Sequence, residues 1–197
     1  MMGKVQERKA KLHDRLIDVA EAQIIEGGLS TVKARDLARK AECALGAIYN
    51  VFDDINDLLM AVNGRTFHKL GEAVSAAVKD AHDEGPNDQL IAMSKAYLGF
   101  AAENTHLWRA LFDLEMSSES KVPEWYLAEL AQLFTHIAHP LARLFPDLPR
   151  DELDLMVRAL FSSVHGIVLL GLEKRISGVP RPQIEHMIAQ VLSQIGK

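Results

Sequence analysis

Few side chains in this 197-residue chain stand in patterns that do chemistry. His136 and His139 are three apart on a helical pattern, a spacing that can hold a metal ion, but no carboxylate or cysteine completes a ligand set. Two ordinary histidines on a polar face or in a pocket are the simpler reading, so neither a metal nor a cofactor is expected. Cys43 is the lone cysteine. It can act as a redox sensor or as a small apolar filler, and nothing in the sequence marks it as a reactive thiol, which favours the filler. Met93, Tyr97, Phe100, Trp108, Phe112, Met116 and Trp125 concentrate large apolar groups in the middle of the chain. They suit a core, or a ligand pocket with polar help from His136, Asn104 or Ser163; the two are not separable by pattern. No Ser/His/Asp order, glycine-rich phosphate loop or paired-carboxylate motif stands out, so an enzyme reading has no positive support.

A different kind of chemistry is offered by "CALGAIYNVF" (Cys43–Phe52). Its small residues Ala44, Gly46 and Ala47 allow another molecule close to the backbone, and Tyr49 and Asn50 add a hydroxyl and an amide. The segment is uncharged and bracketed by Glu42, Asp53 and Asp54.

The elements that must position these groups are all helical. Alternating β-branched runs and Asn-Gly hairpins are lacking, and a 3.6-residue apolar period is widespread. The first helix is expected over 4–26, with Leu12, Leu16, Val19 and Ile24 inward and Gly27-Gly28 as its stop. Ser30 or Thr31 would cap a second helix carrying Val32, Leu37 and Ala41, followed by a turn and a short helix over Leu45–Val51. Asp53 or Asp54 would cap a long fourth helix with Leu59, Phe67, Leu70, Val74, Ala77 and Ala81 on its apolar face. "EGPND" (Glu84–Asp88) separates it from helices expected over 88–103 and 105–114. "SSESKVP" (Ser117–Pro123) reads as an exposed loop. Helices over 124–144, 150–176 and 182–195 complete a set of about nine. Between Leu155 and Leu172 the eighth is apolar nearly all round, and the ninth carries Ile184, Met187, Ile188, Val191 and Ile195. A helix packed between its own core and a partner subunit needs such girth, so Asp151–Ile176 and Pro182–Ile195 form the expected homodimer interface.

The net charge of −5 argues against a protein that coats nucleic acid. Its distribution is uneven: residues 1–50 hold nine Lys/Arg against seven Asp/Glu, whereas 71–197 hold eleven against seventeen. A basic first part on an acidic body points to a local anionic partner. One cysteine rules out an internal disulfide framework, and "MMGKVQERKAKLHD" has no apolar leader core. The longest uncharged helical run, Ala159–Leu172, reads as too short for a bilayer. A soluble, cytoplasmic protein is expected, with no membrane partner.

The segment Ser30–Val62, "STVKARDLARKAECALGAIYNVFDDINDLLMAV", resembles the helix-turn-helix signature of TetR/AcrR-type transcriptional regulators. Asp36-Leu37-Ala38, Gly46-Ala47-Ile48-Tyr49, Phe52 and Leu58-Leu59 carry the match. "AYLGFAAENTHLWRALF" (Ala96–Phe112) and "VHGIVLLGL" (Val164–Leu172) are similar to the C-terminal ligand domain of the subgroup with a Trp-His-Gly motif, with serine in the Trp position. The resemblance implies an all-α fold: a three-helix DNA-binding domain over 1–53 and a larger effector-binding and dimerisation domain over 54–197. It implies a homodimer on double-stranded operator DNA, most often a repressor, released by a small molecule. Thr31, Lys33, Arg35, Ala44, Leu45, Gly46, Ala47, Tyr49 and Asn50 would meet DNA. Ile48, Phe52 and Leu37 would form the mini-core, and Arg39, Lys40 and the arm Lys4–Lys11 would add cationic attraction. Met93, Tyr97, Phe100, Trp108, Phe112, Trp125, His136 and His165 are the candidate effector residues; His165 lines the pocket or packs at the dimer seam.

Three positions depart from the family pattern: Glu42 where glycine is usual in the turn, Ala44 where Ser or Thr caps the recognition helix, and Ile55 where a lysine meets phosphate. A non-glycine residue at positive φ costs about 1 kcal/mol, so a strained or altered turn is expected at Glu42. Two other readings stay open at this point: a helical ligand-binding or enzyme-like protein with a vestigial helix-turn-helix, and a constitutive DNA binder without effector.

Overall fold

The structure is a computed structural model that describes residues 3–114, 122–173 and 178–197. Among these residues it is all-α, with nine α-helices and no strand. In order they are α1 (Lys4–Gly27), α2 (Ala34–Lys40), α3 (Leu45–Ile48), α4 (Ile55–Asp80), α5 (Pro86–Glu103), α6 (Thr105–Asp113), α7 (Glu124–Leu144), α8 (Arg150–Leu172) and α9 (Arg181–Leu192). Ser117–Lys121 of the expected exposed loop, with Met116, lie outside the described residues, as does Ile176 at the expected end of the eighth helix.

Local sequence explains most boundaries. Gly28, at φ 80°, turns the chain out of α1 while its N–H bonds the Ile24 carbonyl at 2.8 Å. Asp54 caps α4 as expected, its Oδ1 accepting the Asp57 N–H at 2.7 Å. The second helix differs from expectation. A single 3-10 turn, Leu29–Thr31, intervenes, and α2 starts only at Ala34 with Lys33 in the N-cap position and no side-chain cap. Thr31 lies two residues before that N-cap, inside the 3-10 turn, and its hydroxyl donates back to the Gly28 carbonyl at 2.7 Å. The third helix is also shorter than Leu45–Val51: its ladder ends at Ile48, where Val51 and Phe52 both bond the Ile48 carbonyl (3.0 and 2.9 Å) in a tightened last turn.

The chain forms two compact units. The first comprises residues 1–68 and 104–126, and its core holds Leu16, Ile24, Leu37, Ile48, Leu58 and Leu107, all at 3% exposure or less. The second comprises residues 69–103 and 127–197, where α5, α8 and α9 pack together around Leu98, Val168, Ile184 and Ile188. Close approach of α8 and α9 depends on Gly171, where a Cβ would stand 2.6 Å from the Ile184 side chain.

By length and composition α8 could cross a membrane, beyond what the uncharged run alone suggests. Its Val157, Leu160, Val164 and Val168 are nevertheless buried within the second unit.

Candidate nucleic-acid interface and effector site

The first site is built by the turn between α2 and α3. Cys43 N–H bonds the Ala38 carbonyl at 2.9 Å and Glu42 N–H bonds the Arg39 carbonyl at 3.3 Å. This is the paired 6→1 and 5→2 pattern of a Schellman cap, whose central residue is left-handed and usually glycine. Glu42 occupies that place at φ 53°, the sole non-glycine residue with positive φ among the described residues. Cys43 packs against the core next to it, consistent with the filler reading. The cap swings the chain so that Ala44 takes the N-cap position of α3, where it provides no side-chain cap.

The α2–turn–α3 unit buries Leu37, Ile48 and Phe52, and His13 of α1 stacks on Phe52 with ring centres 4.7 Å apart. Arg15 of α1 donates to the Ala41 carbonyl at 3.3 Å, holding the end of α2. What remains outward is a continuous set: Ala44, Leu45 (42% exposed), Gly46, Tyr49 (50% exposed) and Asn50, with Ala47 half-buried. Around Gly46 no atom would meet a Cβ within 4 Å, so this spot is open to a partner. Thr31, Lys33 and Arg35 are exposed at the entry to α2, and no ion pair ties Lys33 or Arg35 among the described residues. Arg39 pairs with Asp36 at 3.2 Å and Lys40 with Glu26 at 4.0 Å. Such exposed pairs are weak and give way readily to a phosphate.

The candidate effector residues divide between the units. In the second, Tyr97 of α5 and His165 of α8 share a hydrogen bond, Oη to Nδ1, at 2.8 Å. Phe161 stacks on His165 (5.6 Å), and Phe134 meets Phe161 edge-on (5.3 Å) with Arg158 over its face (5.6 Å). Burial pushes the His165 pKa below its ordinary value, keeping the imidazole neutral. His136 is lowered for the same reason and lies 3.1 Å from the Ser75 hydroxyl. Met93 and Phe100 are buried in this unit. Trp108, Phe112 and Trp125 belong to the first unit instead: Trp108 is fully buried, with Phe112 edge-on at 5.8 Å, and Trp125 is 45% exposed. His139 is exposed, and no three His, Cys, Asp or Glu among the described residues are grouped to hold a metal.

Sequence reasoning missed Asn63. It is fully buried on α4, and its Nδ2 donates to the Ala110 carbonyl (2.9 Å) and to Tyr126 Oη (3.3 Å). The available signal was a polar residue on the apolar stripe of a helix, shared with the buried Thr66 one turn on. Arg65 was missed too. It bonds Asp18 (2.6 Å) and Glu21 (3.2 Å), and the Asp18 bond is the main cause of its raised pKa.

Comparison with known proteins bears on this arrangement. The model of bacterial regulatory proteins of the tetR family matches residues 16–62, and that of the tetracyclin repressor-like C-terminal domain matches residues 90–195, more than half of the chain. The chain belongs to the TetR family. A helix-turn-helix-type transcriptional regulator of Mycobacterium tuberculosis is 22% identical over 111 residues, 56% of this chain and 47% of the relative. The chain thus matches about half the length of the curated relatives. Among solved structures, RolR in complex with resorcinol is similar at TM-score 0.68 and 18% identity, covering 95% of this chain and 88% of that one. FadR from Bacillus subtilis, in complex with stearoyl-CoA, gives TM-score 0.68 and 15% identity, covering 91% and 97%. These likenesses bear on the fold, and the TetR-family helix-turn-helix coincides with the α2–turn–α3 site.

Proposed function

We propose that this TetR-family chain is a ligand-responsive transcriptional regulator, a cytoplasmic repressor released from a palindromic operator by a small molecule, and not an enzyme. The observation that carries the reading is the exposed, uncharged face of α3 held by the α2 cap beside exposed Lys33 and Arg35. Residues 1–53 do the reading, and 54–197 take the effector and the second subunit. Thr31, Lys33 and Arg35 grip phosphates; Ala44–Ala47, Tyr49 and Asn50 approach base edges. The effector contacts centre on Tyr97 and His165, whose neutral ring favours an uncharged hydrogen-bonding group. The resorcinol of RolR is a ligand of that kind.

Dimerisation uses α8 and α9, which leave Leu155 and Leu170 (61% exposed each), Met187 (40%) and Val191 (41%) in water in the single chain. Two α3 helices about 34–36 Å apart, or a multiple of that, then meet one side of a duplex. An effector with different affinity for the two operator-binding states shifts the balance between them.

Gel shifts against the DNA upstream of the protein's own coding region, at stated salt, test this. A specific band is expected. Arg35→Ala should weaken binding to all sequences about equally and lower the salt slope by about one. Tyr49→Ala should weaken the specific band. Light scattering should show a dimer, and Leu170→Glu should shift it toward monomer by placing a charge in the interface. Absence of any specific band, with no effect of Tyr49→Ala or Arg35→Ala, would refute the regulator reading.

A further inference from the structure

We propose that the half-site read by this chain has A·T pairs at its centre, with Ala44, Leu45 and Ala47 on thymine methyls and Asn50 on adenine. The inference rests on the DNA-binding function proposed above and specifies which bases satisfy it.

Between Lys40 and Arg65 the chain has no lysine or arginine. The α3 face therefore lacks the groups that make the commonest specific guanine contact, a bidentate bond to O6 and N7. Because α3 is one turn long, the reading is left to side chains from Ala44 to Asn50. Leu45 and Gly46 stand on α3, and the exposed Tyr49 and Asn50 follow in the tightened turn after Ile48. The Leu45 side chain is 42% exposed, an apolar group held in water without an internal partner to cover it fully. The major groove offers one apolar feature on a base edge, the thymine C5-methyl. The exposed Asn50 carboxamide carries the donor and acceptor that match adenine N7 and N6.

Charge points the same way. Glu42 stands exposed at the mouth of the turn, and a carboxylate accepts hydrogen bonds only. It meets two acceptors on guanine, N7 and O6, but on adenine one acceptor, N7, beside the N6 donor, so it disfavours the guanine edge more; Asp53 and Asp54 bound the other end of the face. Lys33 and Arg35 sit on the other helix of the motif and serve the phosphates, which carry no base identity.

Selection of bound duplexes from a random pool by the full-length protein, at fixed salt, gives the site. The expected half-site has consecutive A·T pairs at its centre. Replacing each central thymine by uracil removes one methyl and leaves every phosphate unchanged. At least one such position should weaken binding about fourfold, the ratio equivalent to about 0.8 kcal/mol for a buried CH2-sized group. Leu45→Ala should make that position indifferent to uracil, and Asn50→Ala should relax the adenine preference. A selected site with G·C pairs at its centre, or one indifferent to uracil at every thymine, overturns the proposal while leaving the regulator reading intact. A pool that enriches no sequence at all overturns the regulator reading, and this inference with it.

Discussion

Glu42→Gly should stabilise the protein, although it removes a side chain and adds no contact. Glu42 sits at φ 53° at the centre of the α2 cap. Left-handed backbone costs a residue with a Cβ about 1–2 kcal/mol, and glycine escapes that cost. Glycine loses about 0.5–1 kcal/mol through its greater freedom in the unfolded chain, so the net gain is about 0.5–1 kcal/mol. Glu42→Ala is the control: it deletes the same carboxylate but keeps the Cβ and hence the strain. As Glu42 is exposed, the alanine change itself should stay within about 0.5 kcal/mol of the parent. Trp108 and Trp125, the two tryptophans of the chain, both lie in the unit that holds Glu42, so intrinsic fluorescence in a urea titration follows that unit. The glycine variant should unfold at a urea concentration higher than the alanine variant by about 0.3 M, taking a typical slope of roughly 2 kcal/mol per molar. Both variants should gain the same operator affinity, since each removes one negative charge from the reading face. A glycine variant no more stable than the alanine variant would show that the cap is not strained and would sink the argument.

Two further outcomes follow from one half-buried and one buried polar group. His165 has a lowered pKa in the fold and an ordinary one, about 6.5, in the unfolded chain, so the unfolded state gains protons first as pH falls. Its contribution to stability is therefore present above about pH 6.5 and lost as pH falls from there through the folded pKa; thermal melts at pH 7.5 and 5.5 should show a smaller acid-induced loss in His165→Gln than in the parent. Asn63→Leu leaves the Ala110 carbonyl without its side-chain donor and should cost about 1–3 kcal/mol, or a melting temperature several degrees lower, whereas the exposed Asn50→Ala should melt with the parent.

The helical inventory was legible because helix period and stop signals are local. Gly27-Gly28 ends α1, Asp54 caps α4, and Pro86 opens α5 two residues before the expected start. The oddity at Glu42 was legible for the same reason: the spacing of the helix-turn-helix puts a left-handed residue there whatever the side chain. Thr31 shows where local reading stops. A threonine before an apolar run has the form of an N-cap, yet α2 starts only at Ala34, and the Thr31 hydroxyl donates to the Gly28 carbonyl instead. The Tyr97–His165 bond joins residues 68 apart in sequence, and the Asn63–Ala110 bond residues 47 apart. Neither pair has a sequence signal beyond a polar residue where an apolar one would pack, because the partner is chosen by tertiary geometry.

The placement of α6 shows what such long-range bonds do. The C-terminal family model spans it, but α6 packs with α1 in the unit that carries the proposed DNA-reading face. Its two ends are fastened by the same physical device. At its start, His106 Nδ1 lies 2.9 Å from the Ile25 carbonyl, one of the last four of α1 and short of an intrahelical partner. At its end, the Ala110 carbonyl, again among the last four of its helix, is taken by Asn63 of α4. A helix terminus satisfied by a side chain from another helix is fixed in both distance and direction, since the bond weakens steeply when bent. Helix α6 is therefore a strut, whose displacement must either break one of these bonds or carry α1 and α4 with it. Breaking the second bond has a definite cost, because it leaves the buried Ala110 carbonyl without its side-chain donor. Movement of α6 would thus be passed to α1 and α4, whose buried side chains share one core with those of α2 and α3, as the proposed response to a ligand requires.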